Sequence, residues 1–105
     1  MNEIIQVLRK FRADRDWSPH HTPNNLMLAL MGEVGELAAE LQWVDDVALT
    51  PEIQDEWADC MIYLLNFADV MGIAPHTAIM GKIGENARKY PVDKSEGKVD
   101  LASVI

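Results

Sequence analysis

The stretch Leu26-Met27-Leu28-Ala29-Leu30-Met31-Gly32-Glu33-Val34-Gly35-Glu36-Leu37-Ala38-Ala39-Glu40-Leu41 decides the fold. Leu26, Leu30, Val34, Leu37 and Leu41 recur every three or four residues, the spacing of one face of an α-helix, and no period-two alternation competes with it. The spacing predicts a long helix from about residue 24 to about residue 44. Upstream, Ile4, Val7, Leu8 and Phe11 place an amphipathic helix over about residues 3 to 14. Between the two, Asp16-Trp17-Ser18-Pro19-His20-His21-Thr22-Pro23 breaks the pattern, because each proline disfavours helix at the residue before it. Downstream, Asp45-Asp46 opens a connection, and Thr50-Pro51-Glu52 is a helix start: Thr as N-cap, Pro at the first position, an acid in the first turn. This third helix should end at Met71 with Gly72 as its left-handed cap. A fourth should run from Pro75 and stop before Pro91, and an irregular tail follows from about residue 91. The fold expected is all-α, a four-helix bundle-like protomer in a single domain over residues 1 to 105. Apolar faces on several helices of so small a domain predict a partner subunit.

Charge and composition narrow the function classes. With 9 Lys plus Arg against 17 Asp plus Glu the formal net charge is −8, the wrong sign for a protein that replaces phosphate counterions on nucleic acid. The balance leaves a phosphate-bearing small ligand open, because clustered carboxylates hold divalent cations that reverse the local sign. The 49% apolar content is that of a folded core. Cys60 is the only cysteine, which rules out an intrachain disulfide and a Cys-built zinc cage. The N-terminal segment has charges among its apolar residues, unlike a signal core, and no run approaches membrane-spanning length. The expectation is a soluble protein of a reducing cytoplasm with neither nucleic-acid nor membrane partners.

Two acid pairs carry the chemistry. Glu33 and Glu36 on the second helix, and Glu56 and Asp59 on the third, are each three residues apart and so share a face. Both pairs border the apolar stripes, which on the third helix are Cys60, Leu64, Ala68 and Met71. If the stripes pack together, four carboxylates converge, and they repel unless a cation sits among them. Oxygen donors without His or Cys suit Mg²⁺, with Mn²⁺ the alternative, and not zinc. A single such pair would be an ordinary solvated surface; two pairs in matching register against two stripes are harder to dismiss. A di-iron carboxylate bundle needs Glu-x-x-His, and none of Glu33, Glu36, Glu40, Glu56 and Glu85 has a His three residues on. On the fourth helix Lys82, Asn86 and Lys89 lie at i, i+4 and i+7, with Tyr90 just round from them. Alone they would be a solvated cationic helix end; beside a metal centre they could hold phosphate or sugar. Trp17 and Trp43 each sit where a helix meets a loop, as core lids or as a pair able to sandwich a nucleobase. Trp57, inside the third helix, is assigned to the core.

At these residues the chain resembles the MazG-like, all-α nucleoside triphosphate pyrophosphohydrolases, whose hallmark ExxE…ExxD is Glu33/Glu36 and Glu56/Asp59 here. It looks most like their small dCTP pyrophosphatase branch. Arg15-Asp16-Trp17, Leu28-Ala29-Leu30, Gly32 through Ala38, Gln42-Trp43, Asp59 through Leu64 and Lys82…Asn86…Tyr90-Pro91 follow that branch in order and approximate spacing. The likeness runs from about Leu8 to about Lys98, with Lys89 where relatives often carry Arg, and Ala39 where they often carry Glu. It implies Mg²⁺-dependent hydrolysis of a (deoxy)nucleoside triphosphate, dCTP first, to monophosphate and pyrophosphate, in a housecleaning role and in a dimer or dimer of dimers that builds sites between protomers. It implies Glu33, Glu36, Glu56 and Asp59 as catalytic metal ligands, and Lys82, Asn86, Lys89 and Tyr90 on phosphate or sugar. Trp17 and Trp43 would hold the base, with His21 and Asn25 lining the same pocket. The competing reading is a non-catalytic helical dimerisation module that presents these acids to solvent.

Overall fold

In the computed structural model, which describes residues 2–92, every regular element is helical. Helix α1 spans Asn2–Asp14, α2 Pro23–Leu41, α3 Pro51–Met71 and α4 Pro75–Lys89, and a 3₁₀ turn covers Ser18–His20. The all-α expectation and its four helices hold. All but the first two residues of the expected irregular tail lie outside the described residues. The chain divides after Ile73 into two compact units: α1, α2 and α3 belong to the first and α4 to the second.

Two helix starts, those of α2 and α3, follow one device. Thr50 Oγ1 accepts the Ile53 N–H at 3.1 Å and Pro51 opens α3, as its sequence dictates. Thr22-Pro23 repeats the device: Thr22 Oγ1 accepts the Asn25 N–H at 3.2 Å. Helix α2 therefore begins on Pro23, so this proline initiates a helix instead of interrupting one. At the other end α2 stops at Leu41, short of the residue 44 expected. The Gln42 N–H turns back to the Ala39 carbonyl and the Val44 N–H to that of Leu41, leaving Trp43 beyond the helix. Asp45 and Asp46 come next, and acids are unfavourable at the negative end of a helix dipole.

Two helix ends share a closing motif. At the end of α3, Gly72 adopts φ 75°, its N–H bonds the Asp69 carbonyl, and the Ile73 N–H bonds that of Ala68 at 2.8 Å. The end of α1 does the same with Asp16, at φ 55°, as the left-handed residue. Its N–H bonds the Ala13 carbonyl and the Trp17 N–H reaches the Arg12 carbonyl at 3.0 Å. Asp tolerates this conformation better than most side chains. The turn fixes Trp17 immediately beyond α1.

Within the first unit α2 and α3 form the principal pair, and α1 packs on α3. The buried apolar set is Ile5, Leu26, Cys60, Leu65 and Ala68. This corrects the expected stripes in phase. On α1 it is Ile5 that is buried while Ile4, Val7 and Phe11 are exposed; on α2 Val34 and Leu41 are exposed; on α3 Leu64 and Met71 are exposed and Leu65 is buried. Because α3 meets α2 and α1 on different sides, its buried positions spread beyond one i, i+4 row. Trp57 is 56% exposed and so is not a core residue. Two polar side chains are buried instead, Arg12 at 8% exposure and Asn66 at 4%. Arg12 Nη1 donates to Asn66 Oδ1, and its Nη2 meets Asp69 Oδ2 at 2.5 Å. Arg9 Nε adds a bond to Asp69 Oδ1 at 2.8 Å. These guanidiniums hold the Asp69 carboxyl below its usual range, Arg9 foremost, against the upward push of burial.

Candidate metal centre and adjoining pocket

The register of α2 against α3 brings the acid pairs together. Glu33, Glu56 and Asp59 each offer a carboxylate oxygen, and these oxygens lie within 4.8 Å of one another. Glu33 and Glu56 are half-buried, Asp59 is exposed at the edge, and Glu36 is an exposed neighbour of the group. One oxygen each of Glu33 and Glu56, Oε2 in both, is buried with no hydrogen-bond partner among the described residues. Buried carboxylate oxygens without partners are costly.

The electrostatics agree. Partial burial pushes the Glu56 carboxyl up to about 7, helped by hydrogen bonding and repulsion from Glu36 and then Glu33. Glu33 is raised as well, by burial first and then by the charges of Glu36 and Asp59. The Cys60 thiol beneath them is pushed up by burial and by Glu33, Glu56 and Asp59. A close set of hard oxygens, crowded by like charge and with orphaned lone pairs, is a donor set able to hold a hard divalent cation.

Asp59 also belongs to a second feature. A pocket of about 220 Å³ opens between α1 and α3, lined by Leu8, Phe11, Arg12, Trp17, His21, Asp59, Ile62, Tyr63 and Asn66. Trp17 meets Phe11 edge-on, ring centroids 5.5 Å apart, and lies 6.1 Å from the His21 ring. His21 Nδ1 is buried with no hydrogen-bond partner among the described residues, and burial, then Arg12 and His20, lower its pKa and favour the neutral ring.

The remaining expected site residues fall in several places. Asn25 is exposed and its Nδ2 donates to the His20 carbonyl at 3.1 Å, so its side chain braces the loop that carries His21. Trp43 is 88% exposed beyond α2 and does not line the pocket within this chain. Lys82, Asn86, Lys89 and Tyr90 belong to the second unit. There Lys82 Nζ lies 3.5 Å from Glu85, Lys89 Nζ lies 5.7 Å from the Tyr90 ring centre, and the Asn86 carbonyl accepts the Tyr90 N–H. Sequence reasoning missed Phe11, Arg12, Tyr63 and Asn66 as pocket residues. The available signals were Tyr63 and Asn66 at i+4 and i+7 from Asp59, and a polar Asn inside the apolar run Leu64-Leu65-Asn66-Phe67-Ala68.

Fold and geometry together define an all-α protein with a carboxylate cluster able to hold a cation at the rim of a small aromatic-lined pocket. The chain belongs to the MazG-like family, whose model matches residues 25–100. It is 37% identical to dCTP pyrophosphatase 1 of Rattus norvegicus over 106 residues, 92% of this chain and 62% of that protein. It is likewise 37% identical to dCTP pyrophosphatase 1 of Homo sapiens over 100 residues, 87% of this chain and 59% of the relative. The chain thus spans about six-tenths of the length of these curated relatives. A solved pyrophosphatase from Archaeoglobus fulgidus superimposes with a TM-score of 0.79 at 38% identity, covering 87% of this chain and 92% of that one.

Proposed function

We propose that this protein is a Mg²⁺-dependent nucleoside triphosphate pyrophosphohydrolase that converts a deoxynucleoside triphosphate, dCTP first, to its monophosphate and pyrophosphate. One observation carries the reading: Asp59 belongs both to the carboxylate cluster and to the lining of the aromatic pocket, which supports a cation-held phosphate group beside a base. The names of the MazG-like relatives point the same way. Glu33, Glu36, Glu56 and Asp59 would hold the cation, which when bound supplies charge neutralisation and Lewis-acid polarisation of phosphate oxygens. Trp17 and His21 form one wall of the base site, and Trp43 comes from a neighbouring protomer. Lys82, Asn86, Lys89 and Tyr90 hold the outer phosphates and the sugar, and Lys82 stabilises the charge that develops on the departing pyrophosphate. Glu36, or Glu33 one turn away, orients the attacking water and takes its proton as the new O–P bond forms at the α-phosphorus and the bond to the bridging oxygen breaks. The buried thiol of Cys60 fits a reducing cytoplasm, where the enzyme would clear nucleotide pools.

The test is a panel of nucleoside triphosphates incubated with Mg²⁺ and scored for pyrophosphate against orthophosphate. Pyrophosphate from dCTP is the expected product. Orthophosphate alone, or no product from any nucleotide, would overturn the reading. A Mg²⁺ titration followed by thermal melting separates it from a non-catalytic helical module, which shows no saturable stabilisation.

A further inference from the structure

The pocket between α1 and α3 has two chemically different ends. Asp59, Tyr63 and Asn66 lie on successive turns of α3, and seven residues at the helical rise span about 10 Å. The Asp59 end is the acidic rim already described. The other end is made by Arg12 and Asn66, both more than nine-tenths buried. Arg12 spends one N–H on Asn66 Oδ1 and one on Asp69 Oδ2. A guanidinium has five N–H donors, so donors remain beyond these two bonds. Because Asn66 Oδ1 already accepts from Arg12, its amide faces the other way and Nδ2 has no partner among the described residues. This end of the pocket therefore offers several fixed donors. It is a poor phosphate site, because Asp69 sits against the guanidinium at 2.5 Å and offsets its charge. What it suits is a neutral, flat group with adjacent acceptors, entering beside Phe11 and Trp17.

Resting on the pyrophosphohydrolase reading above, we infer that Arg12 is the residue that reads the nucleobase, its guanidinium donating to the paired acceptors O2 and N3 of cytosine. Asn66 and Asp69 are positioning residues that lock the guanidinium from behind. Uracil and thymine carry a proton on N3 and set a donor against a donor, which a buried site penalises. Guanine also presents adjacent acceptors, O6 and N7, and is therefore the competing base that the test includes.

The test is steady-state kinetics of the full chain with Mg²⁺ on dCTP, dUTP and dGTP, for the parent, Arg12→Gln, Arg12→Lys and Asn66→Ala. In the parent, kcat/KM is expected to be highest for dCTP. Arg12→Gln lowers the dCTP-to-dUTP ratio at least tenfold, mostly through KM, and Arg12→Lys does not restore it because an ammonium lacks the planar fork. Asn66→Ala keeps the Arg12–Asp69 pair, guards against misfolding, and lowers the ratio in the same direction. Calorimetric titration with dCMP and dUMP provides a readout without turnover, and the preference for dCMP should shrink in Arg12→Gln. An equal loss for dCTP and dUTP, an unchanged ratio, or a parent that prefers dGTP overturns the assignment while the pyrophosphohydrolase reading stands. A parent that releases pyrophosphate from no nucleotide removes both.

Discussion

At the residue scale the decisive groups are the acids that share the α2–α3 seam. On the proposed reading, deleting one should abolish turnover while sparing the fold, because it would remove a cation ligand and also relieve repulsion. Glu36→Ala and Asp59→Ala are therefore expected to be inactive and, without divalent cation, to melt no lower than the parent. Retention of more than a tenth of kcat, about 1.4 kcal/mol in barrier, would show that the acid is not a ligand. Glu56 adds a pH signature. With its carboxyl raised from 4.5 to about 7, the folded chain binds more protons than the unfolded one between those values, so cation-free stability falls as pH rises through that window. Asp69 works in the opposite sense: its lowered pKa adds stability above its ordinary value of 3.8 that is lost as pH falls through the folded value. Melting temperature without divalent cation should decline across the Glu56 window, Glu56→Gln should flatten the decline, and Mg²⁺ should restore stability at the alkaline end. A flat profile in the parent would contradict the crowding of these acids.

At the element scale the helix termini make opposite predictions from one geometry. Gly72 and Asp16 both hold left-handed backbone, and a Cβ at Gly72 would meet nothing within 4 Å, so the backbone alone sets the penalty. Gly72→Ala should cost about 1 kcal/mol. Asp16→Gly should gain up to about 0.5 kcal/mol by releasing the same strain. Thermal melts that move the two in the same direction would count against the shared motif. The glycine end was legible because Met71-Gly72 follows a periodic run; the aspartate end was not, because Asp marks caps and turns of many kinds. The same contrast holds elsewhere. Helix number, the Thr50-Pro51 start and the acid pairs follow from local spacing. The phase of the α3 core and the burial of Arg12 and Asn66 depend on where α1 lies, which no local pattern encodes. Trp57 looked like core because it is large and inside a helix, yet it borders the buried row without entering it.

At the scale of the whole molecule, exposed apolar side chains such as Leu28, Met31, Trp43 and Leu49 leave surface for another protomer to bury. Light scattering should find a dimer or larger at micromolar concentration, and a stable monomer would defeat the shared pocket. Trp17→Ala and Trp43→Ala should each raise KM by an amount worth ~1–3 kcal/mol. Mixing the two variants under subunit exchange should return one intact pocket to some assemblies; exchange without recovery would place both indoles outside a common site. The lone thiol of Cys60, sealed under the acid seam, has a different use. Burial and the surrounding carboxylates disfavour its thiolate, so a maleimide or disulfide reagent should react faster when α2 and α3 part. The protein thus carries its own clock for opening of the seam. Its labelling rate should slow as divalent cation is added, and an insensitive rate would mean that the cation does not tie these two helices together.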